Sequence, residues 1–265
     1  MQTIKRKSLI YKSKVNYGDF SLNYVLGCSH GCKYPCYAMG QKIRRDTEDY
    51  NDWIQPKIVE NALELLDKEI PKFKDRVKSV HLCFSTDPFM FQQDEIATLS
   101  LEIISRLNKN GIKVTTLTKG ICPKELVAEK YSQKNEYGIT LVSLDPKFQK
   151  QYEPDAAPFA ERLEALKYLH EQGLKTWVSI EPYPTPNIIQ QDLAEFLEKI
   201  KFVDKIVFGA WNYNTLVSGY PDKGKFYLDC VDIVSKFCEK NGIELHVKIK
   251  GLKFEKFRNP EIFNQ

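Results

Sequence analysis

The stretch Gly27-Cys-Ser-His-Gly-Cys-Lys-Tyr-Pro-Cys-Tyr-Ala38 places three cysteines, Cys28, Cys32 and Cys36, on one short loop. Three thiolates on one loop can converge on a single metal centre, and no fourth cysteine lies near them in the sequence. A structural zinc site usually has four protein ligands, and a cuboidal iron–sulfur cluster usually has one cysteine per iron. A four-iron cluster held by three cysteines would keep one iron open to a small molecule, so this spacing favours a reactive cluster.

Two other interpretations of these cysteines remain open. A zinc site could take His30 as its fourth ligand, because cysteine and histidine are residue types that zinc prefers. Its four ligands would lie within nine residues of one loop, which is an unusual geometry, and the protein would then be a non-catalytic zinc module. A disulfide is favoured less, because clustered cysteines in an intracellular protein are more typical of metal binding or catalysis.

The wider stretch from Asn23 to Ala38 resembles the cluster loop of radical S-adenosylmethionine (SAM) enzymes, especially the branch related to spore photoproduct lyase. That family has three residues in the first gap between cysteines and two in the second. Here the second gap also has three residues, Lys33-Tyr34-Pro35. In the family an aromatic residue just before the last cysteine lies against the adenine of the cofactor, so the resemblance gives that role to Tyr34 or Tyr37.

The resemblance also implies the cofactors and the chemistry. It implies a [4Fe–4S] cluster on Cys28, Cys32 and Cys36, with SAM bound at the open iron. A one-electron donor such as flavodoxin or ferredoxin would reduce the cluster. Cleavage of SAM would then give a 5′-deoxyadenosyl radical that removes a hydrogen atom from the substrate, in a lyase- or transferase-type reaction.

Short β-branched or aromatic runs alternate with helical patterns from residue 20 onward, which is typical of βα units and a parallel sheet. The predicted strands lie near 20–26, 78–84, 112–118, 138–144, 175–181, 203–210 and 243–250. The predicted helices lie near 56–70, 93–109, 123–134, 157–172, 188–200 and 223–241. Gly111, Gly173 and Gly242 each follow a predicted helix, as C-terminal caps do. We therefore expect a single α/β catalytic domain over residues 1–265, a partial (β/α)6 TIM-like barrel with an extra C-terminal strand, and the resemblance implies the same fold.

Polar residues follow several predicted strands, and the carboxyl ends of barrel strands are where such folds build their sites. Ser85, Thr86 and Asp87 follow the second strand, and the resemblance makes them contacts for the amino group of SAM. Lys119 and Ser143, after the third and fourth strands, are candidates for binding its carboxylate and ribose.

Two further residues are predicted to face into the barrel. Glu181 ends the fifth strand and starts the stiff segment Glu181-Pro-Tyr-Pro-Thr-Pro186, so we expect it to line the cofactor or substrate rim. Cys83 shares its predicted face with Ser85. A cysteine near this motif returns a hydrogen atom in the lyase branch, which makes Cys83 the candidate catalytic residue, with a buried structural thiol as the alternative.

Composition and charge set the remaining expectations. The 265-residue chain has a net charge of +4, which is too mild to indicate nucleic-acid binding by itself. Basic and aromatic residues interleave between 248 and 258, which is compatible with a nucleic-acid surface; a small-molecule or peptide substrate is the alternative. Seven cysteines without a disulfide pattern, and no apolar run long enough to cross a bilayer, predict a cytoplasmic protein without a membrane partner.

Overall fold

The strands of the protein form two sheets. The computed structural model describes residues 1–13, 19–34, 36, 38–40 and 49–249. Numbered in chain order, its strands are β1 (Gln2–Ile4), β2 (Ile10–Lys12), β3 (Phe20–Leu22), β4 (Val25–Leu26), β5 (Lys57–Val59), β6 (Ser79–Leu82), β7 (Lys113–Thr118), β8 (Glu136–Thr140), β9 (Lys175–Tyr183), β10 (Lys205–Ala210) and β11 (Glu244–Lys248). The main sheet has the order β2-β3-β6-β7-β8-β9-β10-β11, and β1-β5-β4 form the small sheet.

The main sheet is an open, parallel sheet. Along the main sheet, each pair of neighbouring strands from β3 through β6 to β11 runs parallel. At the edge of the sheet, β2 runs antiparallel to β3. Every predicted strand is present, although the predicted strand 20–26 divides into β3 in the main sheet and β4 in the small one. This arrangement confirms the predicted partial barrel.

Helices connect the strands. Their bounds are α1 (Tyr50–Trp53), α2 (Ala62–Phe73), α3 (Asp94–Lys109), a 3-10 turn (Lys124–Val127), α4 (Pro146–Tyr152), α5 (Phe159–Glu171), α6 (Leu193–Lys199), α7 (Thr215–Ser218) and α8 (Lys223–Asn241). Gly111, Gly173 and Gly242 have φ of +74°, +82° and +67°, which confirms that they end helices in the left-handed conformation. Across the described ranges, no helix combines the length and the apolar composition needed to cross a bilayer.

Three predicted helices differ from the observed ones. Residues 57–59 of the predicted helix 56–70 form β5, because pairing with β1 and β4 satisfies their backbone groups. The predicted helix 123–134 is a single 3-10 turn, and a little further on the amide of Ser132 donates to the Asn108 side chain, 2.9 Å away. The predicted helix 188–200 starts at Leu193, where Asp192 caps it by accepting from two backbone amides.

The small sheet sets where the cysteine loop begins. β4 ends at Leu26, and the next residue, Gly27, has a φ of +84°, where an added Cβ would lie 2.6 Å from the carbonyl oxygen of Trp53. The amide of Cys28 donates to that same carbonyl at 2.8 Å. The loop therefore leaves the sheet through a position that strongly favours glycine.

Alternation along the strands holds within β6 but stops at its end. Val80 and Leu82 are fully buried on one face, and His81 on the other face bonds Thr115 of β7 at 2.8 Å. Cys83 then has a φ of +51°, and the next residue, Phe84, is exposed. The alternation does not continue to Phe84, so the predicted shared face of Cys83 and Ser85 does not follow from the strand period.

Candidate cluster and cofactor site

The three cysteine thiols lie within electrostatic range of one another. Burial raises the pKa of Cys28 well above its ordinary value, and the charges of Asp87, Cys32 and Cys36 raise it further. Burial also raises the pKa of Cys32 to about 11, with Lys119 opposing this rise and Cys36 adding to it. The raised pKa values favour the protonated thiols of Cys28 and Cys32, and a metal centre would have to displace these protons.

The candidate metal ligands are the three thiols of the loop. Within the described ranges, no three His, Cys, Asp or Glu side chains lie close enough together to ligate one metal ion. A cuboidal cluster binds each cysteine through a different iron, so its thiolates lie further apart than the ligands of one zinc ion. Three half-buried thiols on one loop are the type of ligand that such a cluster takes.

His30 does not complete a zinc site. Its Nε2 accepts from the amide of Phe91 at 3.0 Å, and its Nδ1 lies 3.5 Å from an oxygen of Asp87. The ring is 1% exposed, and burial lowers its pKa well below the ordinary value, with Lys119 adding to the effect. Both nitrogens of this neutral ring face protein partners, so the alternative of zinc with His30 as fourth ligand is not formed.

Asp87 is buried and already fully hydrogen-bonded. Oδ1 accepts from the amide of Phe89 at 2.8 Å and from the hydroxyl of Thr118 at 2.6 Å, and Oδ2 accepts from the amide of Lys119 at 2.8 Å. Burial raises its pKa, although these three hydrogen bonds oppose the rise. The carboxylate joins the ends of β6 and β7 to the cysteine loop through His30, and its contact with the amino group of SAM stays a prediction.

Ser85 and Thr86 are more accessible than Asp87. Both are half-buried after the end of β6, where the Thr86 amide closes a turn by donating to the Cys83 carbonyl at 2.9 Å. The Thr86 hydroxyl donates to the carbonyl of Val25, 3.4 Å away at the foot of the cysteine loop. Contact of these two residues with SAM stays a prediction.

Lys119 lies beside the cysteine loop, whereas Ser143 is turned into the fold. The Lys119 ammonium lies 5.1 Å from the ring centre of Tyr34. Burial lowers the pKa of Lys119, but the charges of Cys32 and Glu153 more than offset this effect. The net result is a raised pKa, so the side chain keeps its positive charge at neutral pH. Ser143 is fully buried, and its hydroxyl accepts from the Asp145 amide at 3.1 Å. The structure therefore brings Lys119, but not the hydroxyl of Ser143, to the loop.

Tyr34 is buried under the cysteine loop. Its ring is 4% exposed, lies edge-on to Trp211 at 5.5 Å and carries Lys119 near its centre. Adenine stacking on Tyr34 would therefore require the ring or Lys119 to move. Tyr37, the other predicted adenine contact, lies outside the described residues, as does the Pro35 next to Tyr34.

Glu181 pairs across the sheet with the last strand. Its Oε2 accepts from the Lys248 ammonium at 2.6 Å, and both groups are partly exposed at the carboxyl ends of β9 and β11. A Cβ on Gly209 of β10 would lie 2.8 Å from the Glu181 carboxyl carbon, so the glycine makes room for the pair. Glu181 thus lies near the carboxyl end of β9 beside Lys248, and its role on the cofactor or substrate rim stays a prediction.

Cys83 lies away from the open rim. It is 2% exposed, burial raises its pKa to about 12, and its thiol is in hydrogen-bonding range of Thr86 and Tyr24. Tyr24 is itself fully buried and bonds Ser100 of α3 at 2.5 Å. This buried position is compatible with the structural thiol that the sequence left open, and the catalytic role of Cys83 stays a prediction.

Sequence reasoning missed the charged residues behind the cysteine loop. Glu153 and Arg162 are both fully buried and form an ion pair at 2.7 Å, and Glu153 accepts from the hydroxyl of Tyr34. Neither residue ends a predicted strand, and both fall in helical or turn segments where charged residues are usually solvated. Only the packing of α4 and α5 against the loop reveals them.

The model of the radical SAM superfamily matches residues 22–200 of the chain. Among curated proteins, the uncharacterized protein ORF301 of Acidianus two-tailed virus is 26% identical over 74% of this chain and 69% of its own length. The uncharacterized protein MJ0683 of Methanocaldococcus jannaschii is 26% identical over 68% of this chain and 66% of its own length.

Solved structures of spore photoproduct lyase share the fold. The complex with dinucleoside spore photoproduct has a TM-score of 0.67 and 15% identity, over 92% of this chain and 81% of that one. A variant with bound AdoMet and the same dinucleoside has a TM-score of 0.68 and 14% identity, over 92% and 80% of the two chains. At these identities the likeness concerns the fold.

Proposed function

The chain belongs to the radical SAM superfamily, whose members use a [4Fe–4S] cluster and SAM, and on that premise we propose that Cys28, Cys32 and Cys36 hold the cluster. The observation that supports this most is the set of three half-buried thiols on one loop, with the Lys119 ammonium beside them. When bound, the cluster and SAM together supply a 5′-deoxyadenosyl radical that removes a hydrogen atom from the substrate.

The neighbouring residues have distinct proposed roles. Lys119 provides a positive charge for the SAM carboxylate, and the hydroxyls of Ser85 and Thr86 provide acceptors for its amino group. Asp87 and His30 hold the ends of β6 and β7 against the cysteine loop rather than touching the cofactor. The Glu181–Lys248 pair on the rim is proposed to face the cofactor or the substrate.

We propose nucleic acid as the substrate class, with a lyase- or transferase-type reaction. The support is the fold shared with spore photoproduct lyase, which is known in complex with a dinucleoside photoproduct. The basic and aromatic residues between 250 and 258, which also motivate this proposal, lie outside the described residues. A flavodoxin or ferredoxin in a reducing cytoplasm is the proposed electron source.

Deuterium transfer tests the proposed function. Full-length protein would be reconstituted anaerobically with iron and sulfide, reduced, and given SAM with perdeuterated single-stranded oligonucleotides, with deuterated peptides, or with deuterated nucleosides. We expect 5′-deoxyadenosine to form and to carry deuterium from the oligonucleotides, and the Cys36→Ala variant to form none.

Each alternative outcome has a distinct meaning. Deuterium from the peptides or nucleosides alone would overturn the nucleic-acid proposal and keep the radical SAM assignment. Tight zinc binding without iron uptake or visible charge-transfer absorption would overturn the cluster proposal itself.

A further inference from the structure

A fully buried ion pair lies behind the enlarged gap between Cys32 and Cys36. Glu153 and Arg162 are 0% exposed, and Nη2 of the arginine lies 2.7 Å from Oε2 of the glutamate. The remaining guanidinium nitrogens are also occupied, because Nε donates to the Ala157 carbonyl at 2.7 Å and Nη1 to the Thr140 carbonyl at 3.0 Å. Buried charges with this many fixed partners form a rigid point in the fold.

Lys33 and Tyr34 of the gap are hydrogen-bonded to Glu153 of this ion pair and to the residue before it. The hydroxyl of Tyr34 donates to Oε1 of Glu153, and the amide of Lys33 donates to the carbonyl of Tyr152 at 2.9 Å. Lys33 and Tyr34 are therefore held, one through its backbone and one through its side chain, by two consecutive residues at the end of α4. The gap contains one residue more than the family spacing, and this attachment restricts the freedom that the extra residue adds.

The Tyr34 ring also sets the place of a charge. The Lys119 ammonium lies 5.1 Å from the ring centre and within electrostatic range of Cys32 and Cys36. Cation–π attraction favours this position. The orientation of the ring, fixed by its hydroxyl, thus governs how close a positive charge lies to two of the cluster cysteines.

We propose that Tyr34 is a positioning residue, held by the Glu153–Arg162 pair, that fixes the segment from Cys32 to Tyr34 and the place of Lys119 beside it. This inference rests on the proposed function, because it concerns the cluster and SAM that these residues would hold. Charges and hydrogen bonds near the sulfurs tune a cluster, so its spectrum and its affinity for SAM depend on this anchor.

The test is Tyr34→Phe, which keeps an aromatic ring for adenine or for Lys119 and removes only the anchoring hydroxyl. Tyr137→Phe is the matched control, because Tyr137 is fully buried and its hydroxyl is hydrogen-bonded to Asn135 at 2.9 Å, near the start of β8. Glu153→Gln is the second variant, which keeps an acceptor for Tyr34 but leaves Arg162 without its counter-charge.

Hydrogen exchange measured by mass spectrometry on the full chain, before reconstitution, reports the anchor without any cofactor. We expect Tyr34→Phe to speed exchange in residues 28–34 by about threefold or more, while Tyr137→Phe leaves that segment unchanged. After anaerobic reconstitution we expect Tyr34→Phe to keep its iron, to shift the electron paramagnetic resonance spectrum of the reduced cluster with SAM, and to bind SAM about tenfold more weakly. Glu153→Gln should shift the spectrum in the same direction, because the neutral amide no longer pairs with Arg162 and so holds Tyr34 less firmly.

The outcomes separate this inference from the proposed function. Unchanged exchange in residues 28–34 of Tyr34→Phe, or an unchanged spectrum and SAM affinity, would overturn the inference while the wild-type cluster stands. Failure of the wild-type protein to take up iron would overturn the proposed function, and with it the cluster arm of this inference. The exchange arm would then still decide whether Tyr34 anchors the loop.

Discussion

His30 lies between two cysteines of the loop, yet both of its ring nitrogens face protein partners. Asp87 likewise ends a strand where a cofactor contact is expected, and its oxygens accept from three donors of the fold. Residue type and position made His30 a candidate zinc ligand and Asp87 a candidate contact of SAM. Their role as internal braces depends on which donors lie within hydrogen-bonding distance, and only the packed loops determine that.

Each of the three loop cysteines can be replaced separately to test whether it is a cluster ligand. Cys28→Ala, Cys32→Ala and Cys36→Ala should each abolish the cluster, because each removes the ligand of one iron. Iron content and visible absorption after anaerobic reconstitution would measure this.

Cys230→Ala is the control for those variants. Its thiol is buried in α8, and its replacement should keep the full iron content and cost only about 1–2 kcal/mol of packing energy. Loss of the cluster from Cys230→Ala, or its retention in any one of the three loop variants, would contradict the assignment of ligands.

At the scale of elements, the site depends on how closely the ends of β6 and β7 approach each other. A Cβ on Gly120 would lie 1.6 Å from the carbonyl oxygen of Phe89, and the Gly120 amide donates to the hydroxyl of Thr118 at 2.7 Å. That hydroxyl also bonds Asp87. The glycine therefore lets two strand ends come into the contact that holds Asp87 in place.

Gly120→Ala should destabilise the protein by about 1–3 kcal/mol or more, because neither backbone can yield without disturbing the Asp87 bonds. Gly224→Ala is the matched change, since that glycine lies near the start of α8 with nothing within 4 Å of an added Cβ. It should leave stability unchanged or raise it by about 0.5–1 kcal/mol. Urea midpoints of both variants would decide, and a Gly120→Ala variant as stable as the wild type would show that the strand ends move freely.

The alternation of strands and helices could be predicted because each unit carries its own period and its own ending glycine. The sequence did not reveal β1, β2 and β5, because each is a three-residue strand whose backbone bonds go to distant partners. The predicted helix 123–134 was wrong for a related reason, since side chains such as that of Asn108 satisfy backbone groups nearby. Short elements are decided by their tertiary partners rather than by their own residues.

At the level of the whole molecule, the stability of the fold depends on a buried histidine, His81, that stays uncharged. His81 is 2% exposed, and burial lowers its pKa from 6.5 to about 3, with Lys248 and Lys205 adding to the effect. Its ring therefore folds in the neutral form, bonded to Thr115.

The pH dependence of stability follows from this lowered pKa. The stability linked to His81 is complete above about pH 6.5 and is lost as the pH falls towards 3, because only the unfolded chain takes up the proton. Between pH 7.5 and pH 5 the loss should be about 2 kcal/mol. Chemical denaturation at both values would measure it, and His81→Asn should remove that part of the slope. An equal slope in wild type and variant would show that this histidine titrates normally in the fold.

Periodicity, terminal glycines and ligand spacing are local properties of the chain, so the parallel sheet, the ends of its long helices and the three-cysteine loop could be inferred from the sequence. Only the tertiary contacts reveal that His30 and Asp87 connect the loops, that the Cys83 thiol is buried beside Tyr24 and Thr86, and that Tyr34 is held by Glu153 and Arg162. These roles depend on distances between residues far apart in sequence. Hydrogen bonding and desolvation are set by such distances, so the same side chain becomes a ligand, a brace or a packing group according to what the fold places beside it.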